Sequence, residues 1–272
     1  MIQDIFPSRF DNQYRPIAPE NGDFLLHYDK EGKVFVQIKE GRILFTKAED
    51  GPIHRPVYLF SVDEQKYFLE TEDEPQSREG YTYLAVRDIR DEGMGTEVFA
   101  AFTAFHLWKW YADNRYCGKC GKPFGFHPKE RALCCPDCGN VLYPRINPAV
   151  IVGVINGEYL LLTRYRRGYG HNALVAGFTE IGETLEETVA REVMEETGLK
   201  VKNIQYYKSQ PWGMAQDILA GFYCEADGDT QIHMDENELK YAQWVKREEI
   251  ELQPNNLSLT NEMMRMFKEG KR

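Results

Sequence analysis

The sequence predicts an α+β protein with a β-rich N-terminal domain, a small cysteine-rich module in the middle, and a C-terminal domain that combines strands with a glutamate-rich helix. Three observations lead to this prediction. The 272 residues exceed the usual length of one domain. Cysteine pairs cluster between residues 117 and 138, and apolar runs typical of strands flank a helical pattern after residue 143. Hydrophobic residues make up 42% of the chain, which is enough to build cores.

Charge and composition narrow the possible partners. The chain carries 43 acidic and 33 basic residues, so its formal net charge is −10. This charge opposes broad binding to phosphate backbones, and any contact with nucleic acid is therefore expected to be local. The first residues, MIQDIFPSRF, do not form a secretion signal, and no window approaches the roughly 18 apolar residues of a membrane span. We expect a cytoplasmic protein without a membrane partner.

Residues 1–93 contain the β-prone runs DFLLHY, VFVQI, RILF, PVYLFSV and YTYLAV, separated by charged turns. They predict a β-rich domain without a recognisable chemical motif, which suits dimerisation or packing. Residues 94–116 place apolar side chains at three- and four-residue spacings and predict a connecting helix. His106 on that helix has no partner in the local sequence, so a structural or exposed position is expected.

Residues 117–142 form the cysteine-rich module. Two pairs follow the pattern C-x2-C-x14-C-x2-C, and four thiolates at this spacing close a tetrahedral zinc site: Cys117, Cys120, Cys135 and Cys138. Cys134 could replace Cys135, but the second spacing would then be C-x3-C. Such a site is structural because it leaves no open position for substrate or water. A redox disulfide is the competing interpretation, and Cys224, in a strand-type run, is expected to be a buried thiol.

Residues 143–272 form the C-terminal domain. An Asn156-Gly157 turn between INPAVIVGVI and EYLLLTRYR predicts a hairpin. Further strands are expected in IQYYKSQPW, DILAGFYCEA and AQWVK, with a short helix around SLTNEMMRMFKE. Thr184 and Glu187 form a capping box that predicts a helix starting at Leu185, and Gly198 is its expected stop.

The predicted helix carries Glu192, Glu195 and Glu196 at positions i, i+3 and i+4. These positions fall within about 100° of the helix circumference, so the three carboxylates share one face. Like charges repel one another unless cations lie among them, and hard oxygen ligands suit Mg²⁺ or Mn²⁺, which in turn bind phosphates. A solvated acidic face is the alternative interpretation. The preceding loop, with Gly177 and Glu183, favours the metal site.

The order Gly177, five residues, Glu183, seven residues, then REVMEETGL from Arg191 to Leu199 matches every fixed position of the Nudix box. The resemblance implies a Nudix α/β/α sandwich that hydrolyses a nucleoside diphosphate linked to another moiety. It implies that Glu192, Glu195 and Glu196 bind divalent ions, and that Arg191 holds the loop against the helix through a carboxylate such as Glu183. The ions would neutralise the pyrophosphate and activate a water for in-line attack on phosphorus.

With its β-rich N-terminal domain and four-cysteine zinc ribbon, the chain as a whole resembles the NADH pyrophosphatases. Their tail motif, SQPWPFPxS, reads SQPWGMAQD here from Ser209 to Asp217, so its first four residues match and its centre differs. Phe178 corresponds to an aromatic residue that stacks on nicotinamide, and Tyr143 to a tyrosine donated across a dimer. The resemblance implies a set of substrate contacts: Phe178, Tyr143, Ala176, Gln210, Trp212 and Glu238. Glu238 could also be a metal ligand or a surface residue, and Phe178, Tyr143 and Trp212 could equally be core residues.

The predicted activity is Mg²⁺- or Mn²⁺-dependent hydrolysis of NADH, and less efficiently NAD⁺, to AMP and the nicotinamide mononucleotide. The resemblance also implies a homodimer, a structural zinc ion and possible removal of 5′ NAD caps from RNA. The altered tail leaves ADP-ribose or a dinucleoside polyphosphate as alternative substrates, and a non-catalytic sensor is a further alternative. Arginines 164, 166 and 167 could meet a second phosphate or simply solubilise a loop.

Overall fold

A computed structural model describes residues 1–72, 75–90, 95–166 and 170–272. The chain forms two compact units. The N-terminal unit contains residues 3–145 and 212–216, and the C-terminal unit contains residues 1–2, 146–211 and 217–272. The short segment 212–216 thus belongs to the N-terminal unit although it follows most of the C-terminal unit in sequence.

The N-terminal unit contains two small sheets with strand orders β1-β5-β6-β2 and β4-β3-β7. All five predicted β-prone runs contain a strand, which confirms the prediction of a β-rich part. The strand β6 was not predicted, because Tyr67, Phe68 and Leu69 are buried in succession and give no alternating pattern. The strands are β1 (Phe10–Asp11), β2 (Phe24–Leu26), β3 (Lys33–Lys39), β4 (Arg42–Phe45), β5 (Pro56–Val62), β6 (Gln65–Glu70) and β7 (Thr82–Ala85).

Two helices follow these strands, α1 (Val86–Ile89) and α2 (Gly95–Asp113). The long helix buries Val98, Phe99 and Phe102, as its apolar spacing predicts. His106 has a hydrogen-bond partner far away in sequence: its Nε2 lies 2.8 Å from the carbonyl oxygen of Arg145. Within the described ranges, no helix combines the length and apolar character needed to cross a membrane. The predicted domain boundary between residues 93 and 94 lies outside the described residues, which do not include 91–94.

The cysteine-rich module folds as a three-stranded antiparallel sheet of order β10-β9-β8. The strands have two residues each: β8 (Gly125–Phe126), β9 (Leu133–Cys134) and β10 (Val141–Leu142). Such short strands cannot bury a core of their own, so this module needs a further cross-link to hold its shape.

The C-terminal unit is built on a mixed six-stranded sheet of order β14-β15-β11-β12-β16, with β13 also paired to β11. Strand β11 is central: it runs parallel to β15 and antiparallel to β12 and β13. The strands are β11 (Asn147–Asn156), β12 (Tyr159–Tyr165), β13 (Val175–Phe178), β14 (Val201–Trp212), β15 (Asp217–Ala226) and β16 (Leu239–Lys246), and the helices are α3 (Leu185–Thr197) and α4 (Leu259–Lys268).

The two helices cover opposite faces of this sheet. Val150 and Val152 of β11 lie in one apolar cluster with Val189 and Val193 of α3. Ile151, between those two valines, lies in another cluster with α4. Because successive side chains of a strand point to opposite faces, this alternation defines a sheet between two helical layers. The α/β/α sandwich, the hairpin and the C-terminal strands and helix are therefore confirmed. The hairpin turn lies at Gly157 and Glu158, one residue later than predicted, because Asn156 still pairs with Tyr159.

Candidate active site

Helix α3 begins and ends where the sequence predicts. The Thr184 side chain accepts a hydrogen bond from the backbone N–H of Glu187, and the Glu187 carboxylate accepts one from the backbone of Thr184. Gly198 ends the helix with a φ of 71°, in the left-handed region that glycine adopts without strain. The capping box therefore fixes where α3 begins, and with it the place of each glutamate on the helix.

Gly177 provides the space for Glu192. A Cβ atom built on Gly177 would overlap the carboxylate group of Glu192, so only glycine is compatible with this side-chain position. The sequence-based expectation that Gly177 lies in a loop was wrong: it pairs with Val150 inside strand β13. Strand β13 has only four residues and was therefore not recognisable from its sequence pattern.

Arg191 connects the loop, the strand and the helix. Its Nε and Nη2 donate to the two carboxylate oxygens of Glu183, at 2.6 and 3.0 Å, and Nη2 also donates to the Phe178 carbonyl oxygen at 2.9 Å. Its Nη1 donates to Glu192 at 2.7 Å and to Glu195 at 2.9 Å. The hydrogen bonds from Arg191, together with the Glu180 N–H, lower the pKa of Glu183 to about 2. One guanidinium thus balances three carboxylates and fixes the loop against the helix.

Glu196 has a different environment. It is 2% exposed, its Oε1 accepts a hydrogen bond from the Tyr165 hydroxyl at 3.1 Å, and its Oε2 has no hydrogen-bond partner within the described part of the chain. Burial raises the pKa of Glu196 to about 8, opposed by hydrogen bonds from the Tyr165 hydroxyl and the Ala176 backbone and helped by the charges of Glu192 and Glu238. A buried carboxylate oxygen without a partner is costly, unless a ligand supplies the missing interaction.

This donor set fits a divalent cation. Burial also raises the pKa of Glu192, helped by the charges of Glu195 and Glu238 and opposed by Arg191. The carboxylates therefore lie close enough to destabilise one another's ionised forms, and a hard cation would relieve that repulsion. Glu238 is exposed and lies in the turn before β16. Its negative charge helps to raise the pKa of both Glu192 and Glu196.

The expected substrate contacts within the C-terminal unit have three different environments. Phe178 is 52% exposed at the end of β13, which leaves much of its ring available for stacking. The carbonyl oxygen of Ala176 lies 3.4 Å from the Tyr165 hydroxyl. Gln210 is fully buried: its Nε2 donates to the Leu257 carbonyl oxygen at 2.8 Å, and its Oε1 accepts from the Leu259 N–H at 2.7 Å. These two bonds hold β14 against the start of α4.

Two other expected contacts belong to the N-terminal unit. The ring of Trp212 packs at 5.2 Å from that of Phe102 on α2. Tyr143 is 55% exposed and donates a hydrogen bond to Glu130 at 3.0 Å. Trp212 thus makes a packing contact, whereas the Tyr143 ring stays accessible.

The altered centre of the tail has a structural reason. A Cβ atom at Gly213 would overlap the carbonyl oxygen of Phe102, so this backbone cannot take the larger residue of the family motif. Gln216, in the left-handed region at a φ of 58°, accepts a hydrogen bond from Arg145. Asp217 is 5% exposed, and burial raises its pKa to about 7.

The arginines after the hairpin hold local structure. Arg164 donates to the side chain of Asn172 at 3.0 Å and lies over the ring of Tyr241. Arg166 donates to the Leu239 carbonyl oxygen at 3.2 Å. Arg164 thus lies within strand β12 and not in a loop, Arg166 follows that strand, and Arg167 lies outside the described residues.

The four cysteines of the ribbon meet at one point. Their sulfur atoms lie within 4.8 Å of one another, with 3.7 Å between Cys117 and Cys138 and 3.5 Å between Cys120 and Cys135. A tetrahedron of zinc–sulfur bonds of about 2.3 Å has sulfur–sulfur edges of about 3.8 Å, so the cluster fits zinc. These separations are too long for disulfides, and all six cysteines are free. The Cys134 sulfur lies outside the group, and Cys224 is confirmed as a buried thiol.

The fold and the glutamate helix together define a Nudix domain. The family model described as NUDIX domain matches residues 145–267, and a solved Nudix hydrolase from Nitrosomonas europaea aligns with a TM-score of 0.50 at 21% identity. That alignment covers 57% of this chain and 91% of the solved one and supports the fold alone. A second family model, the NADH pyrophosphatase zinc ribbon domain, matches residues 112–143. Residues 145–267 therefore match a Nudix domain, and residues 112–143 match the zinc ribbon of the NADH pyrophosphatases.

Similar curated proteins carry the name NAD-capped RNA hydrolase NudC. The protein from Salmonella typhi is 39% identical over 171 residues, and the one from Klebsiella pneumoniae strain 342 is 39% identical over 174 residues. Each match covers 62% of this chain and 66% of the relative. The chain thus matches just under two thirds of the length of these relatives.

Proposed function

We propose that this protein hydrolyses the pyrophosphate bond of NADH, and less efficiently that of NAD⁺, to AMP and the nicotinamide mononucleotide. One observation carries the proposal: the buried carboxylate of Glu196, with one oxygen held and one unpartnered, lies on the same helix face as Glu192 and Glu195. Such a site suits a divalent cation that binds a diphosphate. The zinc ribbon of the NADH pyrophosphatases supports a dinucleotide as the substrate.

Glu192, Glu195 and Glu196 would hold Mg²⁺ or Mn²⁺, with Glu238 as a candidate fourth carboxylate. When bound, the cation supplies positive charge for the pyrophosphate and makes water more acidic. Arg191 keeps Glu183 and the loop in place against the helix, and Gly177 leaves room for Glu192. Preorganised charges of this kind lower the barrier because they need no rearrangement during the reaction.

The remaining residues of the site would select the nicotinamide end. The exposed ring of Phe178 offers a surface for stacking on a flat heterocycle, and the accessible ring of Tyr143 is proposed to contribute across a homodimer. Ala176 and Gln210 are proposed to shape this binding region of the C-terminal unit through backbone and packing contacts.

Removal of a 5′ NAD cap from RNA is a second candidate activity, favoured by the name of the relatives that match the chain. The scissile bond in a cap is the same pyrophosphate. Because the protein has a net charge of −10, which opposes binding to phosphates, we expect the RNA body to add little affinity. The different tail from Gly213 to Asp217 instead favours another diphosphate such as ADP-ribose or a dinucleoside polyphosphate, and both are included in the test.

We further propose a cytoplasmic homodimer with a structural zinc ion in the ribbon. Six free thiols suit a reducing compartment, and the four-cysteine cluster supports the zinc ion. Zinc would cross-link strands that are too short to hold the ribbon on their own.

The test is product analysis of NADH hydrolysis by the full chain with Mg²⁺ or Mn²⁺. We expect equal amounts of AMP and reduced nicotinamide mononucleotide, no turnover in excess EDTA, and a loss of at least ~10³-fold in kcat for Glu196→Gln. A Glu248→Gln variant, at an exposed surface position, is the matched control and should retain full activity. If wild type and Glu196→Gln convert none of the tested diphosphates but bind them equally, the sensor hypothesis replaces the enzyme.

A further inference from the structure

Tyr165 is the last residue of β12, and the pairing of this strand with β16 is irregular at that point. Arg164 pairs with Tyr241, but Tyr165 pairs with Leu239, so the register skips Lys240. A bulge of this kind turns the next side chain away from its regular direction and often lies beside an active site. Here the extra residue, Lys240, lies in β16, and the Tyr165 hydroxyl at this irregularity contacts Glu196 of the glutamate helix.

The Tyr165 hydroxyl contacts two oxygen atoms from different elements. It lies 3.1 Å from Oε1 of Glu196 in α3 and 3.4 Å from the carbonyl oxygen of Ala176 in β13. A phenol has one hydrogen to donate, and a carboxylate is the stronger acceptor. The shorter contact is therefore the hydrogen bond, and it fixes one oxygen of Glu196 while Oε2 keeps no partner among the described residues.

We propose that Tyr165 is a positioning residue that orients the Glu196 carboxylate so that its second oxygen is available to a divalent cation. The inference rests on the proposed function and extends it to a residue outside the Nudix box. Groups that hydrogen-bond a metal ligand fix its orientation, and their loss typically weakens metal binding or activity by about 10–100-fold. Tyr165 lies 31 residues from Glu196 in sequence, so no local pattern could reveal the pair.

A purely structural role would have a different signature. If the hydroxyl only satisfied a buried oxygen, its loss would lower stability and leave cation affinity unchanged. If it orients Glu196, its loss weakens cation binding even where the fold is kept. The molecule offers a matched control, because the Tyr207 hydroxyl donates to Glu262 at the same distance of 3.1 Å and is not part of the glutamate cluster.

The experiment compares Tyr165→Phe and Tyr207→Phe with wild type. Electron paramagnetic resonance of free Mn²⁺ gives the Mn²⁺ dissociation constant without any substrate, and thermal unfolding without metal gives stability. For Tyr165→Phe we expect a Mn²⁺ dissociation constant raised about 10–100-fold and a similar increase in the Mn²⁺ concentration for half-maximal NADH hydrolysis. The KM for NADH at saturating Mn²⁺ should stay within threefold, and Tyr207→Phe should bind Mn²⁺ like wild type.

A double variant tests the link to Glu196 itself. In a Glu196→Gln background, Tyr165→Phe should change the Mn²⁺ dissociation constant by less than twofold, because the carboxylate that it orients is gone. An unchanged dissociation constant for Tyr165→Phe in the wild-type background overturns the proposal. So does an equal rise of the Mn²⁺ dissociation constant in Tyr207→Phe, because the effect would then follow from the loss of any tyrosine–glutamate hydrogen bond and not from the orientation of Glu196. If wild type binds Mn²⁺ but hydrolyses no dinucleotide, the proposed function fails while the Mn²⁺ comparison still decides the role of Tyr165.

Discussion

Substituting Gly177 by alanine should remove activity while the fold is kept. The backbone at Gly177 is a regular strand segment paired with Val150, so an L-residue can adopt it without strain. The added methyl group would overlap the Glu192 carboxylate, which must therefore move away. The perturbation thus acts on one side chain of the proposed metal site.

The size of the effect follows from the contacts of Glu192. Its displacement breaks the 2.7 Å bond to Arg191 and shifts a proposed metal ligand by the width of a methyl group. A misplacement of about 1 Å at a reacting centre can cost about 10²-fold in rate, so we expect kcat for NADH to fall by at least that factor. The lost ionic hydrogen bond costs about 1.5–3 kcal/mol. The lower chain entropy of alanine returns about 0.4–1 kcal/mol, so the net loss of stability should be about 0.5–2.6 kcal/mol.

The assay combines NADH turnover with Mn²⁺ binding and thermal unfolding for Gly177→Ala and a control, Gly153→Ala. A Cβ atom at Gly153, in the neighbouring strand β11, would lie 2.8 Å from the Tyr223 ring, so this variant disturbs packing and not the glutamates. Gly153→Ala should lose stability and keep its kcat and Mn²⁺ affinity. A Gly177→Ala enzyme within threefold of wild-type kcat would refute the steric reasoning.

Two further predictions concern the ribbon and the tail. Cys135→Ser should lower the zinc content of the purified protein and its midpoint of unfolding, whereas Cys134→Ser, outside the sulfur cluster, should change neither. The zinc content is measured by mass spectrometry, and an equal loss of zinc in both variants would contradict the assignment of Cys135 as a ligand. The pKa of Asp217 is raised to about 7 from 3.8, so its folded form prefers the proton, and stability should fall as pH rises from about 4 to above 7 by up to about 4 kcal/mol. Glu196, whose pKa is raised to about 8, adds a loss in the same pH range and is common to both proteins. Asp217→Asn should therefore lose less stability than wild type between pH 5 and pH 8 in urea unfolding, and an equal loss in both proteins would disprove the prediction.

The helix and its neighbours were predictable because their signals are local. The capping box at Thr184 and the stop at Gly198 fixed both ends of α3, and the glutamate spacing placed three carboxylates on one face. Paired cysteines predicted the sulfur cluster in the same way, since the spacing within each pair suffices for a tight turn. These features depend on residues at most a few positions apart within each pair or turn.

The rest depends on tertiary contacts that leave no local trace. The contact between Tyr165 and Glu196 lies where the pairing of β12 with β16 becomes irregular, and the clash that makes Gly177 necessary involves a side chain from another element. Trp212 packs on Phe102, which lies more than a hundred residues earlier and was not connected to it by any sequence pattern. Strands β6 and β13 were missed because one is continuously buried and the other has four residues.

The most direct test of the proposed activity is the ratio of kcat/KM for NADH to that for ADP-ribose, measured with Mn²⁺ on the same wild-type preparation and on Glu196→Gln. We predict that NADH is preferred by tenfold or more, about 1.4 kcal/mol of transition-state discrimination, and that Glu196→Gln hydrolyses neither substrate. An equal or lower value for NADH would contradict its assignment as substrate and place the change of specificity in residues 213–217. Full activity of Glu196→Gln would contradict the metal site itself.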